Sequence, residues 1–116
     1  MRLILSSLPN KSVAARIGRR IVKARLAVCV STTPVRSTYW WKGHVESATE
    51  VLALFKTTEK MVLPLMRELK RLHPYEVPEI LVLKVERAAR PYLAWLDSSL
   101  VTPKGSRRGR AARGPR

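Results

Sequence analysis

The 116-residue chain has little cysteine, few amide side chains and few acidic residues. Cys29 is its one cysteine, which excludes an intrachain disulfide and suits a cytoplasmic protein. Gln is absent and Asn10 is the single Asn, a composition that favours a thermostable protein, although a GC-rich genome would also enrich Arg. No apolar run approaches the ~18 residues that a membrane helix needs, so we expect no membrane partner.

The shortage of acid leaves the chain with a formal net charge of +15, from 23 Lys and Arg against 8 Asp and Glu. Residues 104–116 hold six of the basic residues and none of the acidic ones. This segment has no apolar periodicity, so we predict a disordered tail after a single domain at residues 1–103. Such a tail can neutralise phosphates without reading bases, which predicts weak non-specific polyanion binding through Arg107, Arg108 and Arg110.

Apolar periodicity predicts the order strand, helix, strand, strand, helix, strand and a short third helix. Helices are expected over residues 11–25, from 57 or 58 to 72, and from Pro91; strands are expected over residues 3–5, 26–30, 35–41, 44–56 and 80–86. Ser31 to Pro34 should interrupt the second strand, and Lys42-Gly43 should form a hairpin turn. This order predicts an α+β, ferredoxin-like β-α-β-β-α-β sandwich with both helices on one face of the sheet.

Large aromatic residues are expected on the sheet face that the helices leave open. Tyr39, Trp40 and Trp41 follow one another on a strand, so their side chains alternate between the two faces. Residues 51–55 are apolar on both faces of the next strand, which should therefore be covered on both sides. An exposed apolar patch of this size is unusual for a monomer and favours an oligomer.

The segment HPYEVPEI, residues 73–80, concentrates polar groups on a rigid connector. Pro74 and Pro78 restrict the backbone and end the preceding helix. His73 can offer an imidazole ligand to a metal ion, with Glu76 and Glu79 as hard oxygen donors. The alternative is structural: His73 caps the helix, the tyrosine packs on the core and both carboxylates are solvated.

HPYEVPEI also resembles the signature of the CutA-like divalent-cation tolerance family. Four further segments match in order, and the resemblance runs from residue 3 to about residue 100: RLAVCV (25–30), STYWWKG (37–43), EVLALFKT (50–57) and YLAWL (92–96). The resemblance implies a non-enzymatic cytoplasmic homotrimer that binds a metal ion or small ligand between subunits and responds to divalent cations. Its long hairpin is expected to pair across subunits.

By resemblance, an inter-subunit cleft should be lined by Tyr39, Trp41, Glu50, Lys56 and Tyr75. Glu50 and Lys56 are six residues apart on one strand, so both side chains should share a face. They can orient a polar ligand, or they can form a structural ion pair between subunits.

The resemblance also bears on the metal, which is expected to be a divalent Cu or Zn ion. Copper in the family is associated with a cysteine and with histidines beside Pro-Tyr, which here match Cys29 and His73. Ser6 and Leu72 replace a cysteine and a histidine that some members carry, so a hard or borderline ion is favoured over Cu(I). Binding should weaken below about pH 6, where imidazole protonates. Cys29 can equally be a small buried hydrophobic residue.

Two other functions remain open. Aromatic and basic residues on a sheet can bind nucleic acid, although no RNP-type motif is present. A ligand-free structural or signalling trimer, analogous to the PII proteins, is the other alternative. No Walker loop, GxGxxG segment, nucleophile motif or CxxC pair occurs, so no enzymatic activity is expected.

Overall fold

The computed structural model describes residues 1–100. The elements in chain order are β1 (Arg2–Leu8), α1 (Lys11–Lys23), β2 (Cys29–Trp41), β3 (His44–Thr57), α2 (Val62–Leu72), β4 (Ile80–Lys84) and α3 (Arg90–Leu100), with a 3-10 turn at Glu59–Met61 before α2. The four strands form one antiparallel sheet in the order β2-β3-β1-β4. The predicted α+β, ferredoxin-like order is confirmed. The predicted tail at residues 104–116 lies outside the described residues.

The core lies between the sheet and the helices. Val51, Ala53, Phe55 and Thr57 of β3 are buried, whereas the residues between them are less so, because successive strand residues face opposite sides. From α1 and α2 the core receives the fully buried Ile17, Ile21, Leu65 and Leu69. No helix in residues 1–100 is both long and apolar enough to cross a membrane.

The register defines the residues on the sheet face away from the helices. In antiparallel pairs, directly opposite residues share a face, so Ser7, Tyr39, Trp41 and Glu50 all lie on this face. The same face carries leucines from three strands: Leu3, Leu5, Leu52, Leu54, Leu81 and Leu83. The register confirms that residues 51–55 present apolar side chains to both faces, and the covering of the open face stays a prediction.

Several predicted boundaries were wrong. β1 is longer than the expected residues 3–5, and α1 and β4 each end two residues earlier than expected. β2 runs without interruption through Pro34, which is tolerated because β2 is an edge strand that pairs only with β3. The preceding residues 26–28 are not strand, since the chain is still leaving α1 there. The second helix starts as the 3-10 turn and becomes α-helical at Val62, so Pro64 falls in the first α-helical turn, where its missing N–H costs little.

Candidate functional site

A cleft opens where the connector after α2 meets the β2–β3 hairpin. β1 ends at Leu8, opposite Val51, so Glu50 has β2 on one side and no β1 partner on the other. The connector passes this position and borders a cleft of about 600 Å³. Its lining residues are Ser7, Ser37, Thr38, Tyr39, Trp41, Glu50, Tyr75, Glu76, Val77 and Glu79.

His73 fastens the connector to β1. Its backbone N–H donates to the Leu69 carbonyl, 2.9 Å away, and then the chain leaves the helix in an extended conformation. The ring Nε2 lies 2.9 Å from the Ser7 carbonyl oxygen, and Nδ1 accepts from the Tyr75 backbone N–H at 3.2 Å. Because Nδ1 accepts, Nε2 carries the proton and donates to Ser7. Both ring nitrogens of this buried histidine are therefore engaged within the chain.

Burial lowers the pKa of the His73 imidazole below its ordinary value. The hydrogen bond to Ser7 and the charge of Glu50 act in the opposite direction, but burial is the largest effect. The neutral ring is also the form that leaves Nδ1 free to accept from Tyr75. His73 therefore holds the connector in place as a neutral hydrogen-bonding residue.

Tyr75 and Glu50 form the inner wall of the cleft. The Tyr75 hydroxyl donates to Oε2 of Glu50 at 2.6 Å, and Glu50 is only 9% exposed. Burial, and then the hydrogen bond and charge of Glu50, raise the pKa of the Tyr75 phenol well above its usual range. The phenol therefore stays protonated and keeps the Glu50 carboxylate oriented.

A second carboxylate is held at the other side of the connector. Oε1 of Glu79 accepts a hydrogen bond from the Ser7 hydroxyl at 3.0 Å. Glu76 is exposed and lines the same cleft. Within residues 1–100 the lining thus carries three carboxylates and three aromatic rings and contains neither Lys nor Arg.

Of the residues expected in the cleft, Tyr39, Trp41, Glu50 and Tyr75 come together, and Lys56 does not. Lys56 shares the sheet face with Glu50, as predicted. Six residues along a strand nevertheless span about 20 Å. Glu50 therefore lies in the middle of β3, whereas Lys56 lies near its C-terminal end. Nζ of Lys56 donates to the Ser31 hydroxyl instead. Within one chain Lys56 is neither part of this cleft nor an ion-pair partner of Glu50.

The four residues considered for a metal site are also separated. Glu76 and Glu79 line the cleft, and His73 lies behind it with both ring nitrogens engaged. Cys29 pairs with Lys56 at the far end of the sheet. Across residues 1–100 there is no group of three or more His, Cys, Asp or Glu side chains placed to hold a metal ion.

Sequence reasoning missed Ser7, Ser37, Thr38 and Val77 in the lining. The sequence could have predicted Ser37, because it lies two residues before Tyr39 and therefore on the same face of β2. Nothing in the sequence could have predicted Ser7, since its position depends on the pairing of β1 with β3 across more than 40 residues of chain.

The chain is similar to known proteins over most of its length. The sequence model described as CutA1 divalent ion tolerance protein matches residues 2–99. The divalent-cation tolerance protein CutA of Thermotoga maritima is 44% identical over 101 residues, which is 87% of this chain and 100% of the relative. Protein CutA of Mus musculus is 42% identical over 89% of this chain, which spans only 58% of that longer relative.

Solved structures agree with the sequence comparison. The periplasmic divalent cation tolerance protein CutA from Archaeoglobus fulgidus superposes with a TM-score of 0.84 at 32% identity, covering 87% of this chain and 100% of that one. The PII-like protein CutA from Nostoc sp. PCC 7120 gives a TM-score of 0.82 at 33% identity, covering 87% of this chain and 98% of that one. The chain therefore belongs to the CutA1 divalent ion tolerance protein family.

Proposed function

We propose that this chain is a non-enzymatic subunit of a homotrimer that binds a cationic ligand in the cleft beside the connector and thereby contributes to tolerance of divalent cations. The observation that carries the proposal is the lining of the cleft, where Glu50, Glu76 and Glu79 converge and to which the described part of the chain contributes no Lys or Arg. In a chain of formal charge +15, such a site favours cations by local charge alone.

The open face of the sheet supports the trimer. Leu81 and Leu83 of β4 are 49% and 42% exposed, and Tyr39 and Trp41 on the same face of β2 are 42% and 38% exposed. Together with the leucines of β1 and β3 they form an apolar surface that a second and third copy can cover. The cleft lies at the edge of this surface, so neighbouring chains can complete its wall.

For a metal ion, the ligands available in the cleft are carboxylates. Glu76 and Glu79 can take a divalent ion together with waters, which suits a hard or borderline ion such as Zn²⁺ better than Cu(I). His73 would have to release Ser7 or Tyr75 before it could bind a metal. Cys29 can join only a site formed elsewhere, between subunits.

The test is calorimetric titration of Zn²⁺ and Cu²⁺ into the full-length protein. We expect binding to weaken at least tenfold in the Glu76→Gln, Glu79→Gln double variant and to persist in Cys29→Ala. Glu86→Gln is the matched control, because Glu86 is exposed and lies outside the lining. Binding lost in Cys29→Ala but kept in the double variant would move the metal site away from the cleft.

The second candidate is ligand sensing as in PII-like signalling proteins, supported by the likeness to the PII-like CutA of Nostoc. It predicts that a small organic ligand, and no metal, raises the melting temperature. The nucleic-acid alternative rests on the basic tail and stays a prediction. It requires steeply salt-dependent affinity that disappears when residues 104–116 are deleted, without any loss of thermal stability.

The cytoplasmic location also stays a prediction, based on the single cysteine. The Archaeoglobus fulgidus relative is described as periplasmic. Fractionation of cells that express the untagged chain distinguishes the two locations.

A further inference from the structure

The charge of the cleft is opposite to that of the chain around it. Glu50, Glu76 and Glu79 are three of the eight acidic residues in the sequence. The ion pairs formed within residues 1–100 join Arg2, Arg20 and Arg71 to Glu59 and Glu68, and none of them includes a carboxylate of the cleft. Among residues 1–100, Glu50 and Glu79 accept hydrogen bonds only from neutral hydroxyls, so their negative charge is available to a ligand.

Three aromatic rings stand beside these carboxylates. Tyr39 and Trp41 are presented on one face of β2, and Tyr75 faces them from the connector. The face of an aromatic ring attracts a cation within about 6 Å of its centroid, and indole does so most strongly. Trp41 already has such a contact, since Nζ of Lys42 lies 5.5 Å from its ring centroid.

The size of the cleft selects among cations. A volume of about 600 Å³ falls within the range of small-molecule sites and is far larger than a bare metal ion requires. The part of the chain that the structure describes also lacks a three-ligand cluster for a metal. A cation with an apolar body uses the rings, the carboxylates and the volume together.

We propose that the cleft binds an organic cation of the alkylammonium class, with its charged nitrogen between the aromatic rings and the carboxylates. The inference rests on the proposed function in one respect, namely that this cleft is the binding site. It goes further in naming the ligand class, and it assigns Trp41 to recognition of the charge and Glu50 to the floor of the site.

The experiment compares choline with 3,3-dimethylbutan-1-ol, its uncharged isostere, by calorimetry on the full-length protein. We expect choline to bind at least about tenfold more tightly, because only the charge differs. Affinity for choline should be highest in the unaltered protein, lower in Trp41→Phe and lowest in Trp41→Leu. Phenylalanine attracts a cation less strongly than tryptophan does, and leucine has no aromatic ring. Trp40→Leu is the matched control: Trp40 is the neighbouring residue, lies on the opposite face and is not part of the lining.

Each outcome decides the proposal. Equal affinity for choline and the alcohol, or an equal effect of Trp40→Leu and Trp41→Leu, would overturn it. The graded series keeps the test decisive if Trp41→Leu fails to fold, because Trp41→Phe keeps an aromatic ring at the site. If Zn²⁺ binds and the Glu76→Gln, Glu79→Gln double variant abolishes that binding while choline does not bind, the ligand class is wrong and the proposed function stands. If neither ligand binds, both are wrong.

Discussion

At the scale of single residues, His73 shows how a polar group in a family signature can act through the fold. Its ring joins β1 to the connector by hydrogen bonds to Ser7 and Tyr75. Together with the Ser7 hydroxyl, which donates to Glu79, these two bonds hold the connector where the Tyr75 hydroxyl reaches Glu50. The residue that resembles a metal ligand is thus placed to act as a positioning residue for the cleft.

The depressed pKa of His73 predicts a pH-dependent stability. In the unfolded chain the His73 imidazole has a pKa near the ordinary value of 6.5, whereas in the folded chain its pKa is lower. Stability is therefore complete above about pH 6.5 and is lost as the pH falls towards the folded pKa, by at most about 1.4 kcal/mol per pH unit. Urea titrations between pH 7.5 and pH 5 measure this slope.

His73→Gln should flatten the slope, because an amide does not titrate. His44→Gln is the matched control, since His44 is exposed at the hairpin end and makes none of the contacts of His73. A slope that persists in His73→Gln would assign the pH dependence to other groups.

Arg25 has a left-handed backbone conformation, which residues other than glycine rarely adopt. It has a φ of 60° at the end of α1, where the N–H of Arg25 donates to Val22 and that of Leu26 donates to Ile21. This is a Schellman ending, in which Gly usually occupies the position of Arg25. The guanidinium compensates by donating to the Ser99 carbonyl oxygen in the last turn of α3, at 2.6 Å.

Arg25→Ala should lower the free energy of unfolding by about 1 kcal/mol, because it loses this hydrogen bond and keeps the left-handed strain. Arg25→Gly loses the same bond but relieves the strain, so it should be about 1 kcal/mol more stable than the Ala variant. Denaturant titration of both variants gives the comparison. Equal stabilities would mean that the strain at this position is negligible.

At the scale of elements, Gly18 controls how closely α1 approaches β2. A Cβ at this position would lie 2.9 Å from Cγ1 of Val30, closer than packed carbons tolerate. Val30 is β-branched and has few rotamers with which to move away. The glycine therefore allows a close contact between helix and sheet, at the cost of weak helix propensity.

Gly18→Ala should destabilise the protein by about 1 kcal/mol, because overpacking outweighs the gain in helix propensity. In a Val30→Ala background the clash is absent, so the same substitution should become neutral or stabilising by up to about 1 kcal/mol. The measurement is a double-mutant cycle, in which thermal or urea unfolding is followed for the unaltered protein, Gly18→Ala, Val30→Ala and the double variant. A Gly18→Ala effect of the same sign and size in both backgrounds would show that Val30 is not the limiting contact.

At the scale of the whole molecule, one side of the sheet is left apolar and the cleft opens at its edge. Assembly and ligand binding are therefore coupled if neighbouring chains border the cleft. We predict a homotrimer without a stable folded monomer, so that the melting temperature should rise with protein concentration.

Light scattering at micromolar concentration tests the assembly, with an expected mass of three chains of 13.2 kDa each. Leu83→Lys on the open face should shift the mass towards that of one chain, whereas Lys84→Leu, on the other face of β4, should not. A mass near one chain for the unaltered protein would refute the prediction.

Local pattern alone determined much of this protein. The order of elements follows from apolar periodicity, the faces of β3 follow from the two-residue repeat, and the positive φ values of Lys42 and Gly43 match the hairpin turn expected there. Each of these features depends on neighbouring residues or on one pair of adjacent strands. The same is true of the shared strand face of Tyr39 and Trp41, and of Glu50 and Lys56.

Only the tertiary structure decided which of these residues meet. The end of β1 opposite Val51 leaves the space that Tyr75 fills, and this brings together Glu50 and Tyr75, 25 residues apart in sequence. The six-residue spacing already placed Lys56 about 20 Å from Glu50 along the strand. Only the tertiary structure decided that the cleft borders Glu50 and does not extend to Lys56. The sequence could not show that both nitrogens of His73 are engaged, because one of the partners is a backbone carbonyl 66 residues away. Faces follow from local alternation, whereas contacts follow from strand register and from where each strand ends.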